Sequence, residues 1–307
     1  MKVLIVGLGS IAKKHIDALR KVKPSCSIYA LRSSPKVNED EGVVNIFDID
    51  ELKIRFDFAI ISNPTYLHYD TIKCIAQKKI PLFIEKPALH SLANAAELIE
   101  LVEYNKVLNY VACNLRFHPC IVFLKDYIRK KGNRINEINI YCGSYLPDWR
   151  SGVDFKRVYS ANANMGGGVH LDLFHELDYT TWLFGMPNRT KSTLRSVSSL
   201  EIDAVDYANY LLEYDTFSAN ILLNYYRRKP KRQIEILFRN ETITIDLIDN
   251  CIKDDNGKTI FVSEKFKLQD TYIAQLRYFI KVLTTNQNTF NTLKESIDIL
   301  KIVLHNE

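Results

Sequence analysis

The sequence predicts an α/β protein with a mostly parallel, doubly wound sheet first and an α+β part on a mainly antiparallel sheet after it. Three observations predict this. Short apolar runs at 2–6, 27–31, 58–62, 82–84 and 107–113 alternate with helical patterns. Runs of that length without polar alternation suit strands buried on both faces. A glycine-rich break follows the first of them directly. From residue 135 the pattern changes to closely spaced strands, beginning with INEINIYCGSY at 135–145, and such spacing indicates antiparallel pairing.

The 307 residues suffice for two ordinary domains. Apolar content is 47% and charged content 25%, which is ordinary for a globular chain able to bury a sizeable core. The net charge of +5 is modest. It argues against a dedicated nucleic-acid binder and favours a small anionic partner. Six cysteines show no C-x-x-C pair and no metal-like cluster, so no metal site is expected and a reduced, cytoplasmic setting fits. No 18-residue apolar run is present, so no membrane span is expected. The first strand is expected to begin by residue 2, so no signal peptide is expected.

Lys2 to Val6 reads KVLIV and runs into Gly7-Leu8-Gly9-Ser10-Ile11-Ala12, after which Ile11, Ile16, Leu19 and Val22 set a helical period. This is G-x-G-x-x-A between a strand and a helix. In a dinucleotide site the first glycine allows the tight turn and the second lets a pyrophosphate approach the backbone. The small third residue lets helix and strand pack closely. The competing reading is a purely structural turn. The second strand ends in Arg32-Ser33-Ser34, where an acid would bind the ribose 2′-hydroxyl of NAD(H). A cation with hydroxyls suits a 2′-phosphate, so NADP(H) is favoured over NAD(H). Otherwise Arg32 is a surface arginine.

FAIIS at 58–62 breaks at Asn63-Pro64-Thr65, at the sheet edge where ligands of open α/β folds bind. His68 follows, either lining the cofactor site or packing at a helix start. The next strand ends in Glu85-Lys86-Pro87. Lys86 is a positioned lysine or a surface one, and the Lys86–Pro87 bond is a candidate for cis. A helix is expected over 88–102 and a strand over 107–113, leading to Asn114-Leu115-Arg116-Phe117-His118-Pro119, with a further helix to about 131.

Gly166-Gly167-Gly168 lets the backbone approach something closely or take positive φ. A single helix is expected after it. On that helix Asp172 and His175, three apart, share a face, as do His175 and Asp178. Gly185 and Pro187 stop the helix.

Together these pieces resemble the glucose–fructose oxidoreductase / inositol dehydrogenase (Gfo/Idh/MocA) family: GLGSIA near the start, SNPTYLH, EKP at 85–87, NLRFHP at 114–119 and GGGVHLDLFHELD. The resemblance implies a Rossmann domain, here 1–118, and a substrate-binding and oligomerisation α+β domain with an open sheet, here 119–307. It implies a cofactor set of Gly7, Gly9, Ser10, Ile11, Ala12, Arg32, Ser33, Ser62, Asn63, Pro64, His68, Glu85, Lys86 and Arg116. It also implies catalysis by Lys86, Asp172 and His175, converging beside the nicotinamide. His175 would be acid/base, Lys86 would polarise the reacting oxygen and Asp172 would orient hydroxyls. Many members space the aspartate and histidine four apart rather than three.

The remaining strands are expected at 191–199, 207–214, 217–226, 233–238 and 242–247, with a hairpin at Asp215-Thr216 and closing helices at 269–283 and 292–304. Tyr207, Tyr210, Tyr214, Tyr225 and Tyr226 are candidates for the open face, through which a homodimer or homotetramer is expected; strand packing is the alternative. The basic run 227–232 is expected in a solvated turn, with a phosphate clamp as its functional alternative. The loop after Tyr145 offers sugar-reading groups, Trp149, Arg150, Asp154 and Tyr159. Its wording resembles the surface-polysaccharide branch of the family.

The expected activity is hydride transfer between nicotinamide and a carbon of a sugar, polyol or nucleotide-linked sugar. The alternatives are a glycoside hydrolase that retains NAD and oxidises transiently, and a cofactor-binding sensor without catalysis.

Overall fold

The computed structural model describes residues 1–34, 41–50, 54–132, 134–285 and 287–305. In chain order the first elements are β1 (Lys2–Val6), α1 (Ser10–Val22), β2 (Ser27–Leu31), β3 (Val43–Ile46), β4 (Phe58–Ile61), α2 (His68–Gln77), β5 (Leu82–Glu85), α3 (Ala95–Tyr104) and β6 (Asn109–Ala112). Then follow α4 (Pro119–Lys131), β7 (Ile135–Tyr145), α5 (Val169–Asp172), α6 (His175–Phe184), β8 (Arg189–Arg195), β9 (Tyr207–Glu213), β10 (Ser218–Asn224) and β11 (Tyr226–Phe238). The chain closes with β12 (Thr242–Asp246), β13 (Cys251–Asp254), β14 (Thr259–Val262), α7 (Leu268–Thr285) and α8 (Leu293–Val303).

Two compact units result: residues 1–114 with 267–300, and residues 115–266 with 301–307. The first holds a six-stranded sheet in the order β3-β2-β1-β4-β5-β6. Every pairing in it is parallel. The order reverses between β1 and β4, the switch point at which such sheets bind ligands beyond their strand ends. Val3, Leu4 and Ile5 of β1 and all four residues of β4 are fully buried, which is why these strands carry no polar alternation.

Residues 267–300, expected in the second domain, belong to the first unit. The cause is the apolar face of α7. Phe279 meets Phe58 at 5.2 Å and Phe83 at 5.4 Å, edge-on, and Tyr272 meets His15 of α1 at 5.5 Å. This helix covers the sheet where the chain would otherwise expose β4 and β5.

The second unit holds an eight-stranded sheet in the order β14-β13-β12-β11-β7-β10-β9-β8. The central pair β7–β10 is parallel and the rest antiparallel. Ile138, Ile140 and Cys142 of β7 are buried, while Glu137, Asn139 and Tyr141 between them are not, so one face packs inward and the other stays open. Tyr210 and Tyr225 are on the packed face, fully buried, contrary to their expected place on the open one. Tyr210 is held there by donating to Val303 O at 2.7 Å. Tyr207, Tyr214 and Tyr226 keep partial exposure.

The basic run is not a turn. It lies inside β11, where pairing with β7 shifts register between Tyr226 and Lys231. Its cations are accommodated by partners that composition does not show. Arg228 stacks on Tyr145 at 3.7 Å and Arg227 on Tyr141 at 5.0 Å. Arg232 pairs with the fully buried Glu176 through two bonds of 2.7 and 3.0 Å.

Candidate active site

The dinucleotide fingerprint has the local geometry its residue types predict. Gly7 has φ +81°, and a Cβ there would lie 2.8 Å from Asn63 Cα, so the turn after β1 packs directly on the turn after β4. A Cβ on Gly9 would meet nothing within 4 Å, which leaves the helix entrance open to a ligand. Gly9 is the N-cap of α1; the cap makes no side-chain hydrogen bond and the first turn holds no acid. Its N–H groups and positive dipole end therefore suit a phosphate. Ala12 is fully buried, in keeping with its packing role. Asn63 Oδ1 is buried without a hydrogen-bond partner among the described residues, and Ser62 Oγ donates to Val6 O at 3.0 Å. These residues fit a dinucleotide at the switch point.

Arg32 follows β2, with its backbone N–H bonded to Ile46 O and Nη1 3.3 Å from Asn45 Oδ1. Ser33 beside it is exposed. His68, expected to line the cofactor site, is only 1% exposed. Its two ring nitrogens lie 2.9 Å from Asn63 O and 3.1 Å from Ala88 O, and burial lowers its pKa. It staples the Asn63 turn to the segment after Lys86 and has no surface left for a ligand. Glu85 ends β5, and Lys86–Pro87 is cis.

In the second unit the glycine-opened element is not one helix. Leu173, at φ −96° and ψ 33°, interrupts it, so Asp172 ends α5 and His175 begins α6. Face-sharing by helical period therefore does not relate the two. The break has a side-chain counterpart. The Asp172 carboxylate accepts from Tyr159 OH at 2.7 Å and from Tyr225 OH at 2.5 Å. The glycine run serves this arrangement, since a Cβ on Gly167 would stand 2.0 Å from Tyr159 O. What the backbone approaches closely is thus the chain's own loop, which carries Tyr159 to Asp172.

Burial raises the pKa of both tyrosines, and the Asp172 carboxylate adds to the rise. Both phenols thus stay neutral donors. His170 is buried, and desolvation pushes it down to about 4, so it is neutral near pH 7. Glu176, next to His175, is the carboxylate held by Arg232.

The sugar-reading candidates divide. Trp149 packs edge-on against Tyr225 at 5.3 Å and donates Nε1 to Ser144 at 2.9 Å. Arg150 lies over the Tyr159 ring at 5.8 Å. Trp149, Arg150 and Tyr159 are thus gathered around Asp172 and Tyr225. Asp154 is not. It caps the turn at Lys156 N and pairs with Arg157 at 3.5 Å. Arg116, expected at the cofactor, lies in the second unit with its guanidinium bidentate on the buried Asp178, at 2.6 and 2.9 Å. Sequence reasoning gives no sign of the roles of Tyr225, His15 and Arg232 found here, because their partners lie 53, 70 and 56 residues away.

The description "Oxidoreductase family, NAD-binding Rossmann fold" (GFO_IDH_MocA) matches residues 1–113, and the GFO/IDH/MocA C-terminal domain matches residues 131–244. The chain belongs to the Gfo/Idh/MocA oxidoreductase family. Its first unit is the NAD(P)-binding Rossmann domain of that family. It is 22% identical to the uncharacterized oxidoreductase YrbE of Bacillus subtilis, over 93% of this chain and 87% of that protein. It is 22% identical to myo-inositol 2-dehydrogenase of Thermotoga maritima, over 92% and 87%. A solved levoglucosan dehydrogenase, in complex with NADH and levoglucosan, matches with a TM-score of 0.83 at 14% identity, covering 99% of this chain and 95% of that one. Among the described residues no helix is long and apolar enough to cross a membrane, and no group of three or more metal-ligating side chains occurs.

Proposed function

We propose that this oxidoreductase transfers a hydride between nicotinamide and a hydroxyl-bearing carbon of a sugar, polyol or nucleotide-linked sugar, with Lys86, Asp172 and His175 serving one reaction. The observation that carries the reading is the Asp172 carboxylate, fixed by two neutral phenols in the segment that also presents His175. The names of the inositol and levoglucosan dehydrogenases agree with the substrate class.

Nicotinamide, when bound, accepts or supplies the hydride. His175 takes the hydroxyl proton in oxidation and returns it in reduction. Lys86 donates to the reacting oxygen and so favours its developing negative charge. Asp172 accepts from Tyr159 and Tyr225 and fixes them, and Tyr159, the more exposed of the two, orients substrate hydroxyls with Trp149 and Arg150. The N-terminus of α1 with Gly9 binds the pyrophosphate. Arg32 and Ser33 bind a ribose 2′-phosphate, which makes NADP(H) the favoured cofactor.

We also propose that the open face of the second sheet joins two or four copies of the chain, which reside in the cytoplasm. In support, Leu211, Tyr214 and Phe217 line a cavity of about 430 Å³ on that face together with polar residues. Native mass spectrometry of the purified protein tests the assembly and the cofactor together. Oligomers carrying NADP(H) support the reading, and a monomer carrying NAD(H) contradicts both parts.

A further inference from the structure

The first unit contains a buried pair that the chemistry above does not use. His15 Nε2 and Glu85 Oε1 lie 2.5 Å apart, with the histidine side chain fully buried and the glutamate side chain 12% exposed. His15 is on the inward face of α1 with Ala12, Ile16 and Leu19. Its ring meets Phe83 at 5.1 Å and Tyr272 at 5.5 Å, both edge-on, and its Nδ1 has no hydrogen-bond partner among the described residues. Such surroundings would accept an apolar ring. Replacing both partners of a buried hydrogen bond by apolar groups of the same shape can be nearly neutral or stabilising, so stability alone gives no reason for the pair.

The other carboxylate oxygen supplies a reason. Glu85 Oε2 accepts from the backbone N–H of Lys86 at 3.3 Å. One carboxylate thus ties α1, the helix that opens at Gly9, to the peptide of the lysine proposed to act on the substrate. We infer that His15 is a positioning residue for Lys86: it holds the Glu85 carboxylate on the Lys86 backbone and thereby fixes the strand end that carries the amine. This rests on the proposed participation of Lys86. Without the imidazole, the Glu85 carboxylate loses its side-chain donor, and the strand end that carries Lys86 loses its tie to α1.

The test compares His15→Phe and His15→Gln with the parent, and repeats His15→Phe in a Glu85→Gln background. Reductive ¹³C-methylation makes each lysine amine visible by NMR, and Lys86→Ala identifies the Lys86 signal. In His15→Phe the Lys86 methyl resonance moves from its parent position, and kcat falls about tenfold with KM within about twofold. His15→Gln, which keeps a donor, restores most of both, and in the Glu85→Gln background the His15 substitution adds no displacement. His15→Asn, too short to reach Glu85, reproduces the displacement if the phenylalanine ring is not accommodated. An unchanged Lys86 resonance in His15→Phe or His15→Asn overturns the inference whatever the kinetics. So does a kcat loss that Gln fails to rescue. Full turnover in Lys86→Ala would instead overturn the proposed function, and the Lys86 resonance still decides the role of His15.

Discussion

The Tyr225 hydroxyl donates to Asp172 Oδ2 at 2.5 Å, joining the strand end after β10 to the end of α5 across 53 residues. With Tyr159 on the other oxygen, the carboxylate is oriented before any ligand arrives. Tyr225→Phe removes one donor and leaves the ring packing in place. Loss of a hydrogen bond to a buried charged group costs about 1.5–3 kcal/mol. Steady-state kinetics should show kcat reduced about tenfold or more with a smaller change in KM, and Tyr159→Phe should raise KM as well because that residue is proposed to touch substrate.

The Arg232–Glu176 pair anchors the first turn of α6, and Glu176 is fully buried. Arg232→Leu strands a buried carboxylate and should destabilise the protein by about 3–5 kcal/mol in urea unfolding. Adding Glu176→Gln removes the uncompensated charge and should recover a large part of that loss.

Two buried histidines give the stability a defined pH dependence. Desolvation holds His118 and His170 down to about 4 in the folded chain, against about 6.5 for an unfolded histidine. Between these values the unfolded state binds more protons, so stability rises with pH across that window and falls as the pH drops from about 6.5 toward 4. Each site contributes about 3 kcal/mol across the window. Urea midpoints measured between pH 4.5 and 7.5 should fall on acidification. His170→Gln should flatten the slope, and a slope unchanged by that substitution would assign the effect elsewhere.

Arg32 separates the cofactors. If it binds a 2′-phosphate, Arg32→Ala weakens NADP+ by about tenfold or more, the worth of one charge-assisted contact. NAD+ affinity should change by less than about twofold. Titration calorimetry with both cofactors reads the difference directly, and equal losses would indicate a general role in shaping the turn.

Local rules made most of the first unit legible, although β3 escaped them and α3 begins at Ala95 rather than 88. Continuous apolar strands, the glycine fingerprint and the Lys86 strand end each depend on a few adjacent residues, and β7 falls at 135–145 as its alternation predicts. What escaped the sequence depends on partners far along the chain. An intact helix and one broken at Leu173 show the same apolar period, and the break makes sense only with Tyr159 and Tyr225 beside Asp172. The basic run read as a turn because its compensation comes from tyrosine faces on β7 and a glutamate on α6. Strands β13 and β14 are four residues each, too short to set a clear period. The return of α7 to the first unit is a tertiary choice, since its amphipathic pattern would serve either sheet.

The central claim is that Lys86, Asp172 and His175 serve one hydride transfer. The most direct measurement is the 340 nm absorbance change with NADP+ or NAD+ over a panel of sugars, polyols and nucleotide-linked sugars, run on the parent, Lys86→Ala and His175→Ala. The parent should reduce nicotinamide with at least one of these substrates, and kcat should fall about a thousandfold in each variant. Parent-like turnover in both variants would contradict that claim.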